Sequence, residues 1–109
     1  MRRGGHELVV FVTASSRKEA NAIATRLVRQ RLVACATVVG VVESIYRWQG
    51  KIERSKESML MMKTTSERYL AVERQVREMH SYDVPEIIAV PIERGSSDYL
   101  SWIQSETSK

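Results

Sequence analysis

Cys35 and His80 are the side chains of this sequence best suited to binding chemistry, because thiolate sulfur and imidazole nitrogen both ligate copper and zinc. Glu86 can add a carboxylate oxygen. Their spacing makes no motif: neither C-x-x-C nor H-x-x-x-H occurs, and the setting Val33-Ala-Cys-Ala-Thr37 equally suits a small buried hydrophobe. His80 falls where a helical pattern stops, so it can charge against the helix C-terminus, bond locally, or line a cleft with Tyr82 and Glu86. Lys63, beside Thr64, is the cation that a pocket for a small anion requires, and it equally suits an interface ion pair with Glu57 or Glu86. Met59, Met61 and Met62 carry soft sulfur, yet core filling explains them without a metal. His6 stands in an N-terminal segment and takes no role.

Catalysis finds little support. The sequence has no G-x-S-x-G elbow, no phosphate-binding P-loop, no dinucleotide glycine fingerprint and no paired carboxylates at helical spacing. Glu53 and Glu57 share one strand face, consistent with a solvated or paired surface. The expectation is a protein that binds and is not an enzyme.

The elements that must hold these residues follow from periodicity. Residues 8–14 form a continuous apolar run, the pattern of a central strand. Ser16-Arg-Lys-Glu19 fits a capping box, and Ala20, Ile23, Ala24, Leu27 and Val28 recur at helical spacing. From about residue 33 to 49 the chain reads as one long strand, with Ser44, Tyr46 and Trp48 opposing Ile45, Arg47 and Gln49. Gly50 supplies the turn, and the chain returns through Ile52 to Thr64. Thr64-Thr-Ser-Glu67 offers a second capping box to a helix burying Tyr69, Val72, Val76 and Met79, which ends near His80 because Val84 precedes Pro85. Residues 86–92 make a fourth strand, with Pro91 suiting an edge position. Ser97 is placed to cap a last helix through Tyr99, Leu100, Trp102 and Ile103.

The order is therefore βαββαβ plus a C-terminal helix. It specifies an α+β, ferredoxin-like arrangement: a four-stranded antiparallel sheet covered on one face by two helices. At ~3.3 Å per residue the hairpin spans roughly 50 Å, against about 21 Å for the helices, so roughly half of it overhangs as an arm. An isolated two-stranded ribbon is marginal in water, so Tyr46 and Trp48 are expected to anchor this arm on another subunit. The uncovered sheet face points to assembly as well.

A chain of 109 residues supports one domain over 1–109, with 1–6 and 105–109 expected to be flexible. Its 43% hydrophobic and 28% charged residues are ordinary for a globular domain, and no apolar run approaches the ~20 residues of a membrane span. The net charge of +4 is uneven: residues 1–31 hold seven Lys and Arg against two Glu, so +5, leaving −1 elsewhere. Without interleaved aromatics, that charge reads as a solvated helix face, and neither nucleic acid nor membrane is expected as a partner. Arg2 and Arg3 precede an apolar run too short for a signal peptide, which favours a core strand. One cysteine excludes an intrachain disulfide and fits a cytoplasmic location.

Taken together, Leu32-Val-Ala-Cys-Ala36, Ser44-Ile-Tyr-Arg-Trp-Gln-Gly-Lys-Ile-Glu53, Lys63-Thr64, His80-Ser-Tyr-Asp-Val-Pro-Glu86 and Tyr99-Leu-Ser-Trp102 resemble the CutA family of divalent-cation tolerance proteins. The likeness runs from about residue 7 to 103, with the motifs in that family's order. It implies a ferredoxin-like homotrimer concerned with tolerance of divalent metal ions, copper in particular, with metal held at clefts between subunits. The family's likeness to PII signalling trimers implies an alternative, a sensory or scaffolding trimer for a small anion or a protein partner. Departures are informative. Thr37 stands where many members have Asn, and Gly40-Val41 where they have Pro-Gly, although Gly40 retains the freedom a bulge needs. Val12 and Met79 replace a cysteine and a histidine of the proposed metal set, which leaves His80 in place, with Cys35 as the other metal candidate.

Overall fold

The structure is a computed structural model that describes residues 6–108, so most of the N-terminal segment expected to be flexible, residues 1–5, and Lys109 lie outside the described residues. Strand β1 (Glu7–Ala14) is central, flanked by β3 (Lys51–Thr65) and β4 (Ile87–Pro91), and β2 (Cys35–Trp48) extends the sheet beyond β3. Every neighbouring pair is antiparallel. Helices α1 (Arg17–Arg29) and α2 (Tyr69–Met79) cross one face, and α3 (Ser97–Glu106) lies on the other. This is the expected ferredoxin-like α+β arrangement, with Pro91 closing an edge strand.

Period-two alternation decides which side chains meet. Val10, Val12 and Ala14 of β1 pair with Met62, Leu60 and Ser58 of β3, and Leu60 and Met62 join them in one fully buried cluster with Ile23, Leu27, Val72 and Val76. The intervening residues form rows on the opposite face: Val90, Val9, Lys63 and Cys35; Ile88, Phe11, Met61 and Thr37; Thr13, Met59 and Val39. Helix α3 reaches the first row through Tyr99. The remaining rows carry apolar side chains that no described residue covers, with Ile88 53% exposed, and Val90 at the edge of the first row is 44% exposed. Of the three methionines read as core, only Met62 is; Met59 and Met61 sit half-buried on this open face.

Helix boundaries show which caps form. The Ser16 hydroxyl accepts from Glu19 N–H at 3.1 Å, while the Glu19 carboxylate reaches one residue further back, accepting from Ser15 N–H at 2.8 Å. The second expected box does not form: the Thr64 hydroxyl donates to the Leu32 carbonyl at 2.6 Å, and Arg68, the N-cap of α2, makes no side-chain capping bond. Helix α3 is capped by Ser96, one residue before the expected Ser97.

Residues 105–108 are held by hydrogen bonds, contrary to the frayed tail expected. Arg31 donates to the Ser105 and Ser108 carbonyls, both at 3.1 Å, and Arg68 donates to the Thr107 carbonyl at 2.7 Å. Two guanidinium groups from elsewhere thus satisfy the C-terminal carbonyls of a helix that has no basic residue in its own last turn. His6 is tied at the opposite end, its carbonyl accepting from Ser66 N–H at 2.8 Å.

The β2–β3 hairpin forms the arm. A register shift between Val39 and Val41 places a bulge at Gly40, as expected. At the tip, Gln49 (φ 51°) and Gly50 (φ 81°) both adopt positive φ between paired Trp48 and Lys51, the backbone of a two-residue type I′ turn. Strand β2 has 14 residues, starting at Cys35 rather than near residue 33, so at ~3.3 Å per residue the arm is shorter than the roughly 50 Å expected, and the molecule's longest extent is 44 Å.

Candidate functional site

An open cleft of about 630 Å³ lies at the foot of the arm, between its Tyr46 and Trp48 face and the 82–86 segment that follows α2. Its far wall is fixed by a chain of local bonds. His80 is 8% exposed, with Nε2 2.7 Å from the Thr13 carbonyl and Nδ1 3.1 Å from Tyr82 N–H. A carbonyl can only accept and an amide can only donate, so these partners select the neutral tautomer protonated at Nε2. Ser81 N–H donates to Glu19 at 2.8 Å, joining this segment to the start of α1. Partial burial raises the Glu19 carboxyl, but hydrogen bonds from Ser15 and Ser81 outweigh it and hold its pKa below the ordinary value.

Tyr82 is thereby aimed across the end of the sheet, where its hydroxyl donates to Glu57 at 2.9 Å. Burial, followed by that hydrogen bond and the negative charge of Glu57, pushes the Tyr82 phenol up to about 12. The phenol therefore remains a donor through the physiological range. On the arm, the Tyr46 hydroxyl lies 2.7 Å from Ser55 Oγ, holding that ring against its neighbouring strand.

A second cluster sits at the other end of the open face. Cys35 Sγ is 3.7 Å from the Tyr99 hydroxyl and 4.0 Å from Lys63 Nζ, and that ammonium lies 5.9 Å from the centre of the Tyr99 ring. The contact with Cys35, then partial burial, raises the Tyr99 phenol, while Lys63 opposes the rise. Tyr99 in turn packs on Trp102 with ring centres 5.5 Å apart.

The residues singled out by sequence therefore fall into two groups. Tyr82, Glu86, Tyr46 and Trp48 line the cleft, with His80 bonded behind Tyr82. Cys35 and Lys63 face α3 instead. Lys63 follows Glu57 by six residues on β3, a separation of about 20 Å, so the expected cleft of Lys63, Tyr82 and Glu86 is corrected. Sequence reasoning missed Glu57 as a site residue by treating it as surface, whereas it is 7% exposed. The available signal was its strand parity, shared with Met59 and Met61. Among the described residues, no three of His, Cys, Asp and Glu converge as a metal cage within one chain.

An antiparallel βαββαβ subunit with a bulged hairpin arm and a cleft beside it defines a ferredoxin-like α+β protein. A sequence profile described as CutA1 divalent ion tolerance protein matches residues 8–106, and the chain belongs to that family. The divalent-cation tolerance protein CutA of Thermus thermophilus is 42% identical over 101 residues, 93% of this chain and 98% of that protein. Human protein CutA is 41% identical over 103 residues, which span 94% of this chain but only 58% of the human protein. The solved structure named periplasmic divalent cation tolerance protein CutA, from Archaeoglobus fulgidus, aligns with a TM-score of 0.91 at 39% identity, covering 94% of this chain and 99% of that one.

Proposed function

We propose that this chain acts in divalent-metal tolerance as a homotrimer, handling copper or zinc at clefts between subunits in the cytoplasm. One observation carries the assembly: among the described residues nothing covers the sheet face bearing Phe11, Met59, Met61 and Ile88, and the arm beside it exposes Tyr46 and Trp48 at 42% and 51%. Burying such a face is worth roughly 25 cal/mol per Å² of apolar area, and large amphipathic rings are the usual anchors of an interface. Tyr46 and Trp48 take that role here.

His80 and Cys35 are the proposed metal ligands. The Thr13 carbonyl accepts from Nε2 of His80 and fixes the ring, as carbonyls orient histidines at many metal sites, with Nδ1 carrying the lone pair. Nδ1 accepts from Tyr82 N–H at 3.1 Å, and it is the nitrogen His80 would offer to a metal if that bond were given up. Among the described residues the ligands do not converge within one chain, so this reading requires a neighbouring subunit to complete the set. The cytoplasmic assignment rests on the lone cysteine. Among the described residues no helix is long and apolar enough to cross a membrane.

Native mass spectrometry of metal-free protein titrated with Cu(II) and Zn(II) tests the metal reading, with His80→Ala and Cys35→Ser alongside. The expected result is one metal per subunit, lost in both variants. Uptake unchanged by either substitution contradicts the ligand assignment.

A further inference from the structure

His80 is buried, and both of its ring nitrogens are spent inside the chain. Nε2 donates to the Thr13 carbonyl at 2.7 Å, which leaves Nδ1 as the nitrogen with a lone pair, and Nδ1 accepts from Tyr82 N–H at 3.1 Å. The groups around that amide hold it in place. Before it, Ser81 N–H donates to Glu19 at 2.8 Å. Beyond it, the Tyr82 ring lies 4.8 Å from the His80 ring, centre to centre, and the Tyr82 hydroxyl donates to Glu57 at 2.9 Å. Each of these contacts is made within one chain, and none involves Tyr46 or Trp48 of the arm.

Glu57 is 7% exposed, and among the described residues the Tyr82 hydroxyl is its hydrogen-bond donor. Losing that donor while the segment stays closed leaves a buried carboxylate unsatisfied, whereas an opened segment lets water reach it. The bond therefore favours the closed segment, in which the Nδ1 lone pair is occupied. We propose that Tyr82 is a positioning residue acting through His80: its bond to Glu57 latches residues 81–84 closed and sets what fraction of the protein offers Nδ1 to a metal ion. The inference rests on the assignment of His80 as a metal ligand. Apparent affinity is the intrinsic affinity scaled by the open fraction, so weakening the latch tightens binding. A tyrosine that only supports the fold has a different signature, since removing its hydroxyl loosens the site or leaves it unchanged.

The test titrates Zn(II) into metal-free full-length protein at constant neutral pH, against a competing chromophoric chelator, for wild type, Tyr82→Phe, Glu57→Gln and His80→Ala. Tyr82→Phe keeps the ring and removes the hydroxyl, and zinc binding at least about threefold tighter is expected, a fraction of what a hydrogen bond to a charged group contributes. Glu57→Gln keeps an acceptor without the charge and should tighten binding by less. In zinc-loaded wild type the Tyr82 amide, released from Nδ1, should exchange its hydrogen faster, as amide-resolved exchange would show. Thermal melts establish that each variant is folded, and if Tyr82→Phe is not, Glu57→Gln and the exchange measurement decide. Zinc uptake that needs His80 but is equal or weaker in folded Tyr82→Phe, or a Tyr82 amide whose exchange zinc leaves unchanged, overturns the latch while the ligand assignment stands. No uptake, or uptake unchanged by His80→Ala, overturns the ligand assignment and the latch with it.

Discussion

Glu19 links the cap of α1 to the segment after α2, and its depressed pKa makes that link dependent on pH. Because the folded carboxyl titrates below its unfolded counterpart, the stabilisation is complete above the ordinary value of 4.5 and is lost as pH falls through the folded value. Glu19→Gln should therefore lower the melting temperature at pH 7, and the gap from wild type should narrow on acidification below pH ~4, as thermal melts across that range would show. His80 is the second side chain with a structural duty. His80→Ala leaves the Thr13 carbonyl unpaired, so a loss of about 1–3 kcal/mol in denaturant unfolding is expected, and an unchanged midpoint would refute that role. Residue types announced Cys35, His80 and Tyr82, but not their company. Partners of Cys35 are set by where α3 lands, and the burial of Glu57 depends on a tyrosine 25 positions later in the chain, which local pattern does not encode.

Arg31 shows how an element can end without glycine. Its φ of 60° places it in the left-handed region after α1, with Arg31 N–H bonded to the Val28 carbonyl and Leu32 N–H to the Leu27 carbonyl, a Schellman closure. That conformation costs a non-glycine residue about 1 kcal/mol, while the guanidinium returns hydrogen bonds to the end of α3. Arg31→Ala keeps the strain and loses the bonds, whereas Arg31→Gly relieves the strain. The glycine variant should be more stable than the alanine variant by about 1 kcal/mol in urea unfolding, and equal stabilities would contradict this division. In both variants, amide exchange in the last turn of α3 should accelerate. The two main helices were legible because their apolar stripes are long and the Ser16 cap is adjacent. The second capping box failed because Thr64 is committed to the Leu32 carbonyl, a tertiary bond that local propensity cannot anticipate. The fate of residues 105–108 rests in the same way on Arg31 and Arg68, which come from distant parts of the chain.

Across the whole molecule, element order and right-handed crossovers leave few alternatives to the ferredoxin-like sheet, which is why the topology could be read before any contact was known. The open face was legible for the same reason: two helices of moderate length cover one side of four strands. How far α3 reaches across the other side was not, since its placement depends on Tyr99 meeting Cys35 and Lys63. The uncovered rows of Phe11, Met59, Met61 and Ile88 are predicted to be interior in the working protein. Met61→Glu places a charge at the middle of that surface without touching the buried cluster between sheet and helices. A charge left unpaired in an interface costs several kcal/mol, so the variant should fold and fail to assemble. Sedimentation equilibrium of wild type and Met61→Glu at low micromolar concentration measures this directly. The predicted result is a wild-type mass of three chains and a variant mass of one, while a monomeric wild type, or a variant that remains trimeric, would contradict assembly through the open face.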